Sequence, residues 1–442
     1  MPRPYFSPCR PRTVRARPAF RYPGTLACAL IALTWLASAP ASAATLSLAC
    51  SAVGREFELC REGAQAWARR TGNEVRLVSV PNSASERLAL FQQLLAARAP
   101  DIDAFQIDVV WPGILAGHLV DLAPHAGDAA HGHFPAIVAN NTVRGRLVAM
   151  PWYADVGVLY YRADLLRRYD ERVPQTWAQL AATAQRVQDA ERTAGNPRMW
   201  GFVWQGRAYE GLTCNALEWI ASRNGGTVVD ARGRVTIANP RAIEAVRQAA
   251  GWIDRITPRG VLNYTEEEAR GVFQSGSAVF MRNWPYAYAL ANAPDSPVRG
   301  LIEVAPLPRG GPDGVNAGTL GGWQLAVSRY SRHSELAINL VLYLTSPAEQ
   351  KRRAIAAAYN PTIPALYADP EVLAAQPFLG RLEPMIARAV PRPALSVGTR
   401  YNQVSAKFWG AVHAALSGRA TAQAALTGLD RDLERLRRVG RW

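Results

Sequence analysis

The sequence predicts an α/β protein in two units, with a chain that crosses from one unit to the other and returns. Three observations carry that reading. Between residues 45 and 110 an apolar strand, a striped helix, an alternating strand, a second striped helix and a third strand follow one another, the rhythm of a parallel sheet with helices on both faces. The extended run 147–161 contains Pro151 and is too long for one ordinary strand, so it is a candidate to leave one sheet and enter another. The Pro- and Gly-rich stretch 306–312 marks a second hinge. The 442 residues, 49% hydrophobic and 19% charged, suffice for two or three cores and exclude a disordered, collagenous or disulfide-scaffold chain.

Taken in order, residues 1–43 read as a signal peptide. An arginine-rich start precedes the apolar run 25–37, and Ala41-Ser42-Ala43 offers the small-x-small pattern of a cleavage site, with cleavage expected before Ala44. The apolar run is too short for a membrane anchor. The leader carries six arginines and no acid, so its loss lowers the net charge from +15 to +9. The remaining arginines are scattered among 35 acids without a long basic run, which argues against a nucleic-acid partner.

The mature chain opens with a strand at 45–49. In the helix that follows, Phe57, Cys60, Ala64, Trp67 and Ala68 keep helical spacing until Thr71-Gly72-Asn73 stops it. A strand at 75–80 ends at Pro81. A helix over 85–97 presents Leu88, Phe91, Leu94 and Leu95, and a strand at 104–110 follows. Beyond the first crossover, helices at 176–193, 211–223, 240–255 and 265–275 and strands at 278–282 and 302–305 form the second unit. The C-terminal section is mostly helical, with Leu426, Leu429, Leu433 and Leu436 on one face. Cys50 ends the first strand and Cys60 lies on the next helix, close enough to pair in an oxidising compartment. Cys214 is expected to be a buried apolar residue.

Enzyme signatures are missing: no G-x-S-x-G, P-loop, H-E-x-x-H or G-x-G-x-x-G opens a helix. His125, Asp128, His131 and His133 gather near one another but read as a polar loop, so no metal and no cofactor is expected. What is present is a set of aromatics at strand ends, including Trp152, Tyr153, Trp284, Tyr286, Trp323 and Tyr401, beside acids that interrupt apolar strands, Asp108 and Asp155, and Glu56 at a strand-to-helix turn. In an open α/β sheet, ligands collect beyond the strand ends. A sugar needs flat aromatic faces for its C–H surfaces and charged planar groups for its hydroxyls.

These motifs, Gly54-Arg55-Glu56, Ala84-Ser85-Glu86-Arg87, Met150-Pro151-Trp152-Tyr153-Ala154-Asp155, Met281 through Tyr286, Gly321-Gly322-Trp323, Arg392-Pro393 and Tyr401 through Ser405, spread over residues 45–410. In order and spacing the chain resembles the substrate-binding proteins of ABC sugar importers, family 1 of the solute-binding proteins, and among them the trehalose/maltose (α-glucoside) receptors. The resemblance implies a two-lobed periplasmic-binding-protein fold with hinge crossovers. One lobe would comprise 44–153 and 306–355, the other 154–305 and 356–442. Glu56, Arg87 and Asp108 would then bind hydroxyls from the first lobe, with Tyr153 and Asp155 at the first crossover. Trp284, Tyr286 and Trp323 would stack on the sugar, Gly321 and Gly322 would admit its close approach, and Arg392 would close the site. Arg207, Glu210 and Arg400 would play secondary parts. The implied protein is a periplasmic monomer without enzymatic activity that delivers a disaccharide to permease subunits in the inner membrane. The alternative is a secreted glycoside hydrolase or lyase using paired carboxylates.

One expectation is purely geometric. Pro285 restricts Trp284 to extended backbone, so Trp284 and Tyr286 should project to the same side of an extended segment.

Overall fold

The computed structural model describes residues 43–440 and 442. The leader and its cysteines, Cys9 and Cys28, therefore lie outside the described residues. Two sheets organise the rest. The first is built from β1 (Thr45–Ser51), β2 (Glu74–Val80), β3 (Ala104–Asp108), β6 (Met150–Val156) and β11 (Leu320–Val327), in the order β2-β1-β3-β11-β6. The second is built from β7 (Val158–Arg162), β8 (Trp200–Val203), β9 (Ala278–Asn283) and β10 (Ile302–Pro306), in the order β10-β7-β9-β8. A small hairpin of β4 (Thr142–Val143) and β5 (Arg146–Leu147) stands apart.

The parallel-sheet expectation holds for β1, β2 and β3 and again for the β8–β9 pair, and fails for the other pairs. β11 runs antiparallel to both β3 and β6, because it returns from the other sheet and enters this one from the opposite end. β8 and β11 are strands that the sequence pattern does not announce. The paired glycines at the start of β11 and the brevity of β8 leave little alternation to read. Helix starts follow their caps: Ser83 accepts from Glu86 N–H at 3.4 Å, Asn239 caps Pro240–Ala250, and Thr176 and Thr265 each form a capping box. Gly72 closes Glu56–Thr71 in the left-handed conformation, φ 72°. Cys50 and Cys60 form the expected disulfide, with Cα atoms 6.6 Å apart, and Cys214 is buried.

The crossovers are where the chain had to change sheets. β6 and β7 are separated by Gly157 alone. A Cβ there would sit 2.0 Å from Glu218 Oε1 and 2.6 Å from an Arg282 guanidinium nitrogen, so the passage is open only to glycine. The return passage joins β10 to β11, and a third passage at 388–392 leads to the C-terminal helices. The three are stitched together by backbone hydrogen bonds: Gly157 N–H to Thr319 O (3.3 Å), Leu320 N–H to Val390 O (2.9 Å) and Val390 N–H to Gly318 O (2.8 Å). The helices Tyr401–Leu416 and Ala422–Gly440 pack on Glu210–Ser222 and Pro240–Ala250, beside the second sheet.

Two local expectations need correction. Trp284 to Tyr286 is a turn, with Ala287 N–H donating to Trp284 O at 3.2 Å and Tyr286 at φ −54°, ψ −30°. Pro285 opens that turn and leads into the helix Ala287–Ala291, so the two rings do not stand on one strand face. His133 is not part of a solvated loop. It is buried, its Nδ1 lies 2.7 Å from Thr362 Oγ1, and burial pulls its pKa down to about 4. No described helix is long and apolar enough to cross a membrane.

Candidate functional site

The strand ends of the two sheets face each other across a cavity of about 620 Å³ of empty space, part of it open to solvent. Its walls hold Glu56, Asp108, Tyr153, Asp155, Trp284, Tyr286, Gly321, Gly322, Trp323 and Arg392.

The first wall begins where β1 turns into the helix Glu56–Thr71. Gly54, at φ 59°, makes that turn, and a Cβ on it would meet the Tyr286 ring at 2.6 Å. Glu56 is then held rigidly: Gln106 Nε2 donates to its Oε1 at 2.7 Å, the Tyr153 hydroxyl donates to the same oxygen, and Arg353 lies 4.0 Å away. Register places Trp323 opposite both Asp108 and Tyr153, and Gly321 opposite Asp155. A Cβ on Gly321 would come within 3.0 Å of the Trp284 ring, and Gly322 (φ 121°) lies against the Tyr153 carbonyl. These two glycines let the strand run close under the aromatics.

The second wall is built on β9 and the helices Glu210–Ser222 and Glu266–Gln274. The Trp284 indole donates to Glu266 Oε1 at 3.3 Å and lies over the Arg282 guanidinium, 3.9 Å from guanidinium carbon to ring centre. Tyr286 donates to Glu267 at 2.6 Å and Tyr209 to Glu266 at 2.7 Å. Below them Arg282 and Glu218 form a wholly buried ion pair, and Glu218 also accepts from Thr319 N–H at 3.0 Å. The Trp284 platform is thereby tied to the hinge.

Arg392 joins the walls. Its guanidinium donates to Asp108 Oδ1 at 2.7 Å from the first side and to Glu210 Oε1 at 2.8 Å from the second. Tyr401 and Ser405, one helical turn apart, also donate to Glu210, the serine at 2.6 Å. Two rim contacts span the same gap: Arg207 to Glu86 at 2.7 Å, and Glu210 N–H to Ser85 Oγ at 3.1 Å.

Burial governs the ionisation. It pushes Glu56, Asp155, Glu210 and Glu266 above the usual carboxylate range, Asp155 farthest, with the Glu56 charge adding to the effect there. For Arg392 burial acts downward, and the groups around it, Asp108 foremost, more than reverse it.

Arg87 stands behind the wall rather than in it. Fully buried, it donates to Ser51 Oγ at 2.9 Å and Pro81 O at 3.0 Å, and its plane backs Trp323 at 4.2 Å. Arg353 does the same for Trp152 at 3.8 Å. Arg400 is turned away and donates to Gln403 at 3.1 Å. Sequence reading missed Glu266 and Tyr359, both in the lining, and ranked Glu210 too low. The run Glu266-Glu267-Glu268 held a signal, since Glu268 alone completes the capping box and the other two acids are free for other work.

The comparisons agree with this architecture. The family model "Bacterial extracellular solute-binding protein" matches residues 57–351. A probable ABC transporter-binding protein of Deinococcus radiodurans is 50% identical over 412 residues, covering 93% of this chain and 98% of that protein. The mannitol-binding protein of Pseudomonas aeruginosa is 24% identical over 69% of this chain and 73% of that protein. Among solved structures, maltose-bound MalE3 of T. maritima superposes with a TM-score of 0.85 at 39% identity, covering 89% of this chain and all of that one. The GacH receptor of Streptomyces glaucescens shares the fold at 22% identity, with a TM-score of 0.77 over 89% of this chain and 98% of that one. Relatives of this kind are not enzymes, and the hydrolase or lyase alternative falls with them. Two sheets joined by three hinge passages, with a cleft of aromatics and paired charges between them, belong to the two-lobed fold of these relatives, and the chain is a member of the bacterial extracellular solute-binding proteins, the substrate-binding components of ABC transporters.

Proposed function

We propose that this protein is a periplasmic receptor that captures an α-glucoside disaccharide of the trehalose or maltose kind between its lobes and delivers it, as a monomer, to the permease. The observation that carries the reading is one cavity in which aromatic faces and charged planar groups alternate on both walls, the two surfaces a sugar presents. The lining holds five carboxyl groups, Glu56, Asp108, Asp155, Glu210 and Glu266, and one guanidinium, Arg392, a set of acceptors suited to the hydroxyls of a neutral sugar or polyol rather than to an anion. The 39% identical structure holds maltose, which favours a glucoside over a linear polyol. Glu56, Asp108, Asp155 and Arg392 take hydroxyls, Trp284, Tyr286 and Trp323 take ring faces, and Arg87 positions Trp323.

In this reading the lobes follow the sheets and rotate about the passages at Gly157, Thr319 and Val390, so the expected boundaries at 153, 306 and 355 move to these passages: β6 continues in the first sheet to Val156, Gly310 and Val315 donate to Ser222 O of the second lobe, and Asn360 pairs with Ala154 of the first. Groups on both walls are satisfied together only when the cleft shuts, so the ligand favours the closed form. Cleavage of the leader before Ala44 places the protein in the periplasm. Calorimetry of the mature protein with trehalose, maltose, sucrose and mannitol tests the assignment. Micromolar or tighter binding of a glucoside, about −8 kcal/mol, with a smaller radius of gyration in solution scattering, is expected. Binding of mannitol alone would overturn the disaccharide, and an unchanged scattering profile at saturation would overturn closure.

A further inference from the structure

A second cavity, larger than the cleft, opens on the hinge itself. It holds about 1670 Å³ of empty space, part of it open to solvent. The same three passages build it: Val156 and Gly157 from the first, Ala317 and Gly318 from the second, Arg388 and Val390 from the third. Its remaining walls are mostly apolar, with Val304, Leu307, Phe378, Leu382 and Met385 among them. Val315, one of the few large hydrophobic residues left exposed (47%), lies in the same lining.

Three arginines, Arg309, Arg381 and Arg388, also line this groove, and no carboxylate does. The acids near them in sequence do not answer that charge. Glu303, Asp313 and Glu383 are exposed and outside the lining, and Glu303 accepts from Tyr161 at 2.7 Å. An apolar groove with positive charge and no internal counter-charge is complementary to a molecule that is apolar along its length and anionic at one end. A guanidinium pairs with a carboxylate through two parallel hydrogen bonds.

We infer that the groove is a binding site for a free single-chain anionic amphiphile of the fatty-acid type, its carboxylate held by Arg309, Arg381 and Arg388 and its chain laid along Phe378, Leu382 and Met385. The site is separate from the cleft, and the inference does not depend on which sugar the cleft takes.

Titration calorimetry of the mature chain with dodecanoate, below its micellar range, is the test. Saturable binding of one dodecanoate is expected, with dodecyltrimethylammonium, which has the same tail and the opposite charge, weaker by about tenfold or more. The exposed-site variants Arg381→Glu with Arg388→Glu, and separately Val315→Asp, should each weaken dodecanoate by about tenfold while melting at the same temperature as the parent. Equal binding of the two amphiphiles, undiminished binding in the folded charge variant, absence of saturable binding, or association only with anionic phospholipid vesicles would each overturn the inference. None of these outcomes bears on the sugar reading, which is measured with sugars alone.

Discussion

Arg388 and Arg392 stand four residues apart on one hinge passage and occupy opposite electrostatic worlds. Arg392 is buried, with one carboxylate from each wall against its guanidinium. Arg388 is exposed and faces an apolar groove that holds no acid. The difference teaches that a charge's energetic weight follows from its desolvation and partners rather than from its position in the chain. A buried pair is costly to break because the survivor is left uncompensated, whereas an exposed arginine is already solvated.

The largest effect should therefore come from Arg392→Ala, which strands Asp108 and Glu210 in a dry site. A loss of about 3–5 kcal/mol in chemical denaturation is expected, and a loss below 1 kcal/mol would mean that water reaches the pair. Trp284→Ala comes next and separates binding from folding. Sugar affinity should fall by about 2 kcal/mol, roughly thirtyfold, with the fold retained. Unchanged affinity in calorimetry would make the ring a packing element only. The smallest effect belongs to Arg388→Ala, within about 0.5 kcal/mol of the parent in the same denaturation experiment. A larger loss would reveal a partner for Arg388 and erase the contrast.

Much of the fold and of the cleft is legible in the amino-acid sequence alone. The first sheet's β1, β2 and β3 follow from alternation and helix punctuation, and the first crossover from the length of the run around Pro151. Ten of the eleven residues expected to bind ligand line the cleft. The rest depends on contacts that pattern cannot carry. Glu210 is central because Tyr401 and Ser405, on a helix almost two hundred residues away, donate to it. Arg87 is expected from the resemblance to bind hydroxyls, and only packing reveals that it lies behind the cleft wall and supports Trp323. β11 is hidden because Gly321 and Gly322, needed for close approach, erase the alternation that marks a strand. The turn at Pro285 shows the complementary error: the extended restriction that a proline imposes governs the single residue before it and not the segment beyond.

The aromatic pair on the cleft walls has an optical consequence. The chain has thirteen tryptophans, and among the described residues only Trp284 and Trp323 line the cleft. Trp67, Trp111, Trp152, Trp177, Trp204 and Trp219 are sealed in the cores. Each cleft indole rests on a guanidinium, Arg282 or Arg87, a contact that holds the ring in place. If the cleft takes its ligand as proposed, the two cleft indoles change surroundings on binding while the sealed indoles do not. The protein would then carry an intrinsic fluorescent gauge of cleft occupancy, one indole on each wall, without any added label.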